Sequence, residues 1–206
     1  DSAVQAAIKI KLLDNMVTAL LYSSPYELYW FHKTVGVVIN YSYSRSNGVV
    51  TVKVPTYTFA VAQEYQDKEA SEPEYTVNSV FGDAISAAAA NVRTIINTYA
   101  ALEDYSKLLA YKNAICRLVD YNHPAVNNSY PYGNPWQMIW VFDGDAKTKV
   151  VCEGYSKAFQ YLCDNSTFVS DDIYAICVSG TMSYNSTSGG HMWNIVHMDD
   201  GINYLI

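Results

Sequence analysis

The apolar, β-branched segment at residues 149–151 changes at Cys152 into an amphipathic pattern that continues to Leu162. This change predicts an extended segment that leads directly into a helix, with a thiol at the junction. The first N–H groups of a helix are unpaired and carry partial positive charge, which favours a thiolate over a thiol. Further along, Gly189 and Gly190 precede His191, which opens a strand-like stretch. A cysteine at a helix start and a histidine on a strand are the two groups that cysteine-based acyl transfer needs.

In such a reaction Cys152 is the predicted nucleophile and His191 the predicted base. The thiolate attacks a carbonyl carbon, and a backbone N–H at the helix start donates to the oxyanion. The histidine protonates the departing amine and later activates the acceptor. The two glycines before His191 predict a tight turn into its strand that keeps backbone out of the cleft.

The composition limits the class of protein. Apolar residues make up 50% of the 206 residues, which is enough for one ordinary domain or for a core with a small extension. No run of about eighteen apolar residues occurs, so no transmembrane segment is predicted. The net charge of −7 argues against binding to a phosphate backbone, and we reject nucleic acid as the main partner.

The beginning of the sequence and its tyrosines bear on location. No signal peptide is present, and the opening residues 1–3 are typical of a mature or trimmed N-terminus. We therefore expect an extracellular or cell-surface protein. Tyrosine occurs 19 times, and its rigid ring with one polar group suits recognition surfaces. A composition bias without function explains the tyrosines equally well.

The four cysteines are irregularly spaced, at Cys116, Cys152, Cys163 and Cys177. Cys152 and Cys163 fall on one predicted helix, about 16 Å apart along its axis. A disulfide tolerates Cα separations only to about 7 Å, so these two cannot bond to each other. The other three lie in apolar patterns and are predicted to be buried thiols.

The sequence predicts no cofactor and no metal site. It contains no zinc-ligand spacing, phosphate-binding loop or dinucleotide glycine motif. His191 and His197 share a strand face but lie too far apart to ligate one metal ion.

The first part of the chain predicts a helix and a β-hairpin. Apolar residues have helical spacing over 3–21, and strand patterns cover 35–43 and 49–54. Asn47-Gly48 between the two strand patterns predicts a tight turn. The polar stretch 63–74 is interpreted as a linker. Residues 1–75 are thus predicted to form an N-terminal extension and residues 76–206 the core.

The core alternates helical and extended patterns. Helices are predicted at 77–99 and, after Asp104 as a candidate N-cap, through Leu118, and a long loop at 121–136. After the Cys152 helix come a strand at 173–178, a small-residue loop at 179–190 and a hairpin that turns at 199–201. This order predicts the α+β class.

Two segments of the core resemble the bacterial transglutaminase-like superfamily: VVCEGYSKA at 150–158 and GHMWNIV at 190–196. Residues 112–116 and 121–123 also resemble the family's helix and short run before the nucleophile. The resemblance covers about residues 104–206, whereas residues 1–75 match no generic part of the family. It implies a papain-like α+β core whose nucleophile helix packs on an antiparallel sheet, with Cys152 as nucleophile and His191 as base.

The resemblance also implies a third member of the site, an acidic residue that follows the strand after the histidine hairpin. The matching position comes directly after Ile206, where the sequence stops, so the third triad acid is not in this chain and the core is C-terminally incomplete. Either the sequence is a truncated product or its triad is incomplete. Asp199 and Asp200 are poor substitutes, because about 20 Å of strand separates their turn from His191.

Two further residues are candidates for the cleft. By analogy with the side-chain donors of papain-like enzymes, Gln137 is a candidate oxyanion donor, although a surface glutamine is the more ordinary explanation. Trp193 falls on the same strand face as His191 and either lines the cleft or packs in the core. Asn194 has the opposite parity and is assigned no chemistry.

The leading hypothesis is a cysteine-dependent acyl transfer on peptide or isopeptide amide bonds, with hydrolysis slightly favoured over cross-linking. The substrate would be a protein or peptide, with cell-surface polymers among the candidates; the oligomeric state is left open. The alternatives are a non-catalytic surface-binding module that uses a Tyr-rich face, and a structural domain of a larger surface protein.

Overall fold

The computed structural model describes residues 2–9, 13, 15–33, 35–126, 138–185 and 187–206. It is a mixed α+β protein whose chain divides into two compact units, Asp1–Phe81 and Gly82–Ile206. Among the described residues, no helix is long and apolar enough to cross a membrane.

The first unit consists of two helices and a long hairpin. The helices are α1 (Ser2–Ile8) and α2 (Asn15–Ser23), and the antiparallel strands are β1 (Val37–Ser46) and β2 (Val49–Phe59). Asn47 and Gly48 form the turn with φ angles of 50° and 78°, so the predicted Asn-Gly hairpin is confirmed. Positive φ at both turn residues is what this turn type requires.

The segment predicted as a linker is part of the first unit's core, so that prediction was wrong. Tyr65 is only 1% exposed, and its ring packs edge-on against Tyr29 and Phe81 with centroids 5.1 and 5.0 Å apart. Short 3-10 turns at Gln63–Tyr65, Pro73–Tyr75 and Ser79–Phe81 form this region. The prediction failed because the segment is polar overall, whereas its single aromatic residue, Tyr65, packs in the core and stabilises it.

The second unit begins with helices α3 (Gly82–Tyr99) and α4 (Asp104–Leu118). The short strand β3 (Asp120–Tyr121), the one-turn helix α5 (His123–Val126), a 3-10 turn at Met138–Val141 and the strand β4 (Lys149–Val150) follow. The helix α6 (Cys152–Asp164) then precedes the strands β5 (Tyr174–Tyr184), β6 (Thr187–His197) and β7 (Asn203–Leu205).

One antiparallel sheet and one short parallel ladder organise the second unit. The sheet has the order β5-β6-β7, and α6 packs against β5 and β6. The ladder joins β3 to β4 in parallel, with Tyr121 opposite Val150. The core between helix and sheet includes Leu162, Phe159, Val196 and Ala175, all buried.

The loop predicted at 179–190 is instead a hairpin, which corrects the sequence-based interpretation. β5 and β6 pair continuously, from Tyr174 opposite His197 to Tyr184 opposite Thr187. Asn185 lies at the turn with a φ of 45°. Gly180 is required in this hairpin because a Cβ there would lie 2.7 Å from the Trp193 ring. Small residues are typical of loops, but here they allow an aromatic ring to lie across the neighbouring strand.

Candidate active site

Cys152 lies at the first turn of α6, as the change in sequence pattern predicted. The extended residue Val151 precedes the helix, and its carbonyl accepts hydrogen bonds from Gly154 (2.9 Å) and Tyr155 (3.3 Å). Gly154 permits this close entry, because a Cβ there would lie 2.6 Å from the Val150 Cβ. The buried Val150 of β4 therefore fixes the start of the helix and with it the position of the thiol.

His191 lies in the middle of β6, opposite Gly180. The tight turn predicted at the two glycines before it was wrong, because both are paired within the β5–β6 ladder. Its ring is stacked with that of Trp193, with centroids 6.2 Å apart and planes at 26°, so the predicted shared face of these two residues is confirmed. On the other side of β6, β7 pairs with residues 195–197, and Ile206 extends this ladder to Asn194. Among the described residues, none pairs with residues 191–193 on that side.

A cavity of about 340 Å³ is bordered by both Cys152 and His191. Trp193, predicted as a cleft or core residue, also lines it. Among the described residues, no hydrogen bond links the Cys152 thiol to the His191 ring. Catalytic hydrogen bonds are often long in unliganded enzymes and tighten when substrate binds. The absence of this hydrogen bond among the described residues therefore does not argue against a catalytic pair.

Tyr121 is a cavity residue that the sequence-based prediction missed. Burial raises its pKa above the usual 10.0, and the charge of the Cys152 thiolate raises it further. The Cys152 backbone N–H lowers this pKa by hydrogen bonding, whereas the Cys152 side chain raises it by hydrogen bonding to the tyrosine. Tyr121 therefore keeps its proton beside the thiol and has an O–H to donate there.

The position of Tyr121 follows from the parallel ladder and from ring stacking. Its opposite number in the ladder is Val150, two residues before the nucleophile, and the neighbouring Asn122 N–H donates to the Val150 carbonyl at 2.9 Å. Its ring stacks on Tyr155, with centroids 6.2 Å apart, and the Tyr155 hydroxyl in turn donates to the Val119 carbonyl at 2.8 Å. The pattern at 121–136 predicted only a loop, because a two-residue strand leaves no periodicity to detect.

Asn194 has a larger role than the sequence indicated. Its side chain is buried and faces α6, where its Nδ2 donates to the Ser156 carbonyl at 3.0 Å. It also reaches the Ile176 carbonyl at 3.4 Å and the Cys177 Sγ at 3.6 Å. The predicted parity was right, but the face that points away from His191 is the one that packs on the nucleophile helix. Asn194 therefore joins the histidine strand to the cysteine helix.

An ion pair lies within α6. The Lys157 Nζ is 2.7 Å from the Glu153 Oε1, and the Lys157 side chain is only 1% exposed. A buried ammonium group needs such a partner, because burying an unpaired charge strongly destabilises the folded state. Glu153, an acidic residue in the first turn of α6, neutralises this lysine.

The four cysteines differ in their surroundings, and all four are free thiols. Cys163 and Cys177 are buried as predicted, but Cys116 is exposed, so its predicted burial was wrong. Cys116 projects from α4 into the same cavity as Cys152. Its place in an apolar helical pattern did not show that the cavity opens beside it.

The remaining candidates are not part of the described site. Gln137 lies outside the described residues. Asp200 accepts hydrogen bonds from the Tyr204 hydroxyl (2.7 Å) and the Ile202 N–H (2.8 Å) at the turn after β6. Among the described residues, no group of three His, Cys, Asp or Glu side chains could hold a metal ion.

Neither a scan against protein-family models nor a search of curated proteins found a match to this chain. The function is therefore inferred from the chemistry of the residues around the cavity. The described residues that line the cavity include a thiol at a helix start, a second thiol, an imidazole, an ammonium group and a protonated phenol.

Proposed function

We propose that this protein catalyses acyl transfer from peptide or isopeptide amides through a thioester on Cys152, with His191 as the base. The observation that supports this most is that Cys152, at the first turn of α6, and His191, on β6, border the same cavity. A transglutaminase-like, papain-like core at the cell surface is part of the same proposal. The packing of α6 on the antiparallel strands β5 and β6 supports that core.

In the first step the Cys152 thiolate attacks the amide carbonyl and forms a C–S bond. The N–H groups at the start of α6 and the Tyr121 hydroxyl donate to the oxyanion. The His191 imidazolium then protonates the leaving amine as the C–N bond breaks, which leaves a thioester and a neutral imidazole. In the second step His191 removes a proton from the acceptor, which attacks the thioester and releases the thiolate.

The acceptor decides the outcome of the reaction. Water gives hydrolysis and an amine gives a cross-link, and exclusion of water from the cleft would favour the amine. We favour hydrolysis slightly over cross-linking.

The register of β6 and β7 gives a physical basis for the third member of a triad. Ile206 and Asn194 exchange backbone hydrogen bonds of 3.0 and 3.1 Å. A residue directly after Ile206 that continued this ladder would lie opposite Trp193, on the face that carries His191. A carboxylate there would lie diagonally across from the imidazole, close enough for a side chain to orient it.

The experiment that tests the proposal supplies a glutamine peptide together with a fluorescent primary amine and identifies the products by mass. We expect glutamate peptide as the main product and amine conjugate as the minor one, and Cys152→Ala should form neither. Cys116→Ala is the matched control, since it removes the other thiol that lines the cavity. Turnover that persists in Cys152→Ala would rule out the proposed thioester.

A second candidate function is a surface-binding module, and the hairpin of the first unit favours it. Several large apolar side chains on β1 and β2 are exposed, namely Val38, Tyr43, Val49, Val50 and Tyr57. Exposed apolar residues in such number on one hairpin are typical of an interaction surface. Binding to a cell-surface polymer that survives Cys152→Ala but is lost in Tyr43→Ser would support this function.

A further inference from the structure

The cavity beside Cys152 has one cationic wall, which comes from α4. Lys112, Ile115 and Cys116 line it at intervals of three and four residues, so they lie on one face of that helix. The Lys112 side chain is exposed and, within the described part of the chain, forms no ion pair. Its ammonium group is therefore available at the cavity.

The other walls make the charge of Lys112 effective. Among the described residues that line the cavity, none is Asp or Glu, and Ile115, Phe159, Met192 and Ile206 contribute apolar surface. Apolar walls lower the local dielectric constant and strengthen the field of a nearby charge. The whole chain carries a net charge of −7, so a cationic cavity runs against its overall charge.

The carboxylates nearest to this helix face have other partners. Asp200 lines a neighbouring groove together with Lys112 but accepts hydrogen bonds from the Tyr204 hydroxyl and the Ile202 N–H. Asp120 lies 3.9 Å from the Lys149 Nζ across the β3–β4 ladder. Lys112 is thus a cation that lines the same cavity as the nucleophile, and among the described residues no carboxylate is paired with it.

We propose that the acyl donor carries a carboxylate close to the carbonyl under attack, and that Lys112 binds it. This inference rests on the proposed acyl transfer and specifies its substrate class. Two donors share the required chemistry: a peptide with an acidic side chain next to the reacting residue, and a peptide whose own C-terminal carboxylate lies there. In both, the ammonium of Lys112 selects an anionic donor over a neutral or cationic one.

The first test measures the field at Cys152 without any substrate. Iodoacetate and iodoacetamide alkylate the same thiol but differ by one negative charge, so the ratio of their rates reports the local potential. We expect Lys112→Gln to lower the iodoacetate-to-iodoacetamide ratio at Cys152 about fivefold, and Lys112→Glu to lower it further. Lys149→Gln, which removes an exposed lysine outside the cavity, should leave the ratio unchanged. An unchanged ratio in Lys112→Gln would overturn the inference.

This test separates the two claims. The rate of Cys152 alkylation is also measured in His191→Ala. If that rate is unchanged while the iodoacetate-to-iodoacetamide ratio still falls in Lys112→Gln, the acyl-transfer proposal fails and the anion site stands. If the alkylation rate of Cys152 falls in His191→Ala while the iodoacetate-to-iodoacetamide ratio is unchanged in Lys112→Gln, only the anion site is ruled out.

The second test distinguishes the two donors with matched glutamine peptides. One pair has Asp or Asn beside the glutamine, and the other has a free or amidated C-terminus directly after it. We expect kcat/KM to be about fivefold higher for one of the anionic peptides, and Lys112→Gln to abolish that preference. The pair that shows the preference identifies the source of the carboxylate. No preference in either pair would contradict the proposal.

Discussion

Cys152 is surrounded by side chains from separate elements of the second unit: Tyr121 from β3, Tyr155 from α6, and His191 and Trp193 from β6. Of these groups, Tyr121 adds what a cysteine–histidine pair lacks, a neutral donor beside the sulfur. Because its pKa is raised above 10.0, its O–H stays intact near neutral pH. A donor aimed at developing negative charge stabilises a transition state more than a ground state.

We therefore expect Tyr121→Phe to lower kcat at least about tenfold with little change in KM, because the donated hydrogen bond is made mainly in the transition state. The measurement is steady-state hydrolysis of the glutamine peptide. Tyr155→Phe is the matched control, since its hydroxyl donates to the Val119 carbonyl rather than toward the thiol. Equal kcat for Tyr121→Phe and the unchanged protein would remove Tyr121 from the mechanism.

The buried thiols predict how stability depends on pH. Burial raises the pKa of Cys177 from 9.0 to about 12, although Lys157 and the Asn194 hydrogen bond lower it in part. Burial also raises the pKa of Cys163. The folded state then holds these protons more tightly than the unfolded state, so their stabilisation is complete below about pH 9 and is lost as pH rises toward 12.

Urea unfolding at about pH 8 and about pH 10.5 should accordingly show lower stability at the higher pH. Replacing both buried thiols, in Cys163→Ala/Cys177→Ala, should reduce that difference. Cys116→Ala changes an exposed thiol and should keep the full difference. A double variant with the same pH dependence as the unchanged protein would mean that these thiols do not control it.

At the scale of elements, the relation between α6 and β6 decides whether thiol and imidazole can meet. Asn194 is 3% exposed, and its side chain joins β6 to the Ser156 carbonyl of α6. A side-chain amide in this place fixes how far the strand can slide along the helix. The position of His191 relative to Cys152 therefore depends on the hydrogen bond from Asn194 to α6.

We expect Asn194→Ala to lower the free energy of unfolding by about 1–3 kcal/mol and to reduce kcat, because it leaves a buried space where three hydrogen bonds were made. Asn165→Ala is the control: Asn165 is exposed at the end of the same helix and donates to the Tyr161 carbonyl at 2.8 Å. Urea unfolding and steady-state kinetics measure the two effects. A stability loss no larger than that of Asn165→Ala would contradict this role.

The junction between β4 and α6 gives a sharper test of packing. A methyl group on Gly154 would overlap the Val150 side chain, so we expect Gly154→Ala to destabilise the protein by about 1–3 kcal/mol and to slow alkylation of Cys152. Gly189→Ala is the control, since a Cβ there meets nothing within 4 Å. Thermal unfolding measures both variants. If they behave alike, the junction does not depend on the glycine.

The elements that the sequence predicted well are those with a strong local signal. The start of α6 at Cys152, the helical pattern through Leu118 and the Asn47-Gly48 turn each follow from a periodic pattern or from a turn residue that accepts positive φ. The predicted N-cap at Asp104 was wrong, because Glu103 is the N-cap and Asp104 is already helical. The β5–β6 hairpin was missed because its small residues match a loop composition. The placement of Tyr121 was missed because it depends on pairing between residues nearly thirty positions apart, about which local periodicity says nothing.

For the whole molecule, the order of helices and strands was enough to predict the α+β class, and strand parity was enough to place Trp193 beside His191. The sequence could not predict which side chains line the cavity. Cys116 and Lys112 lie on a helix face that looks ordinary until β6 and α6 are packed beside it. Proximity of this kind arises from tertiary packing, so it became visible only in the folded chain.

The central claim is that His191 activates Cys152 within one cavity, and the rate of iodoacetamide labelling at about pH 6 tests it most directly. We expect selective labelling of Cys152 and a rate at least about tenfold lower in His191→Ala. His197→Ala should label normally, since that histidine stacks on Tyr174 and contacts Asn203 at the far end of β6. Labelling of Cys152 at the same rate in His191→Ala, or no faster than that of the exposed Cys116, would contradict the account.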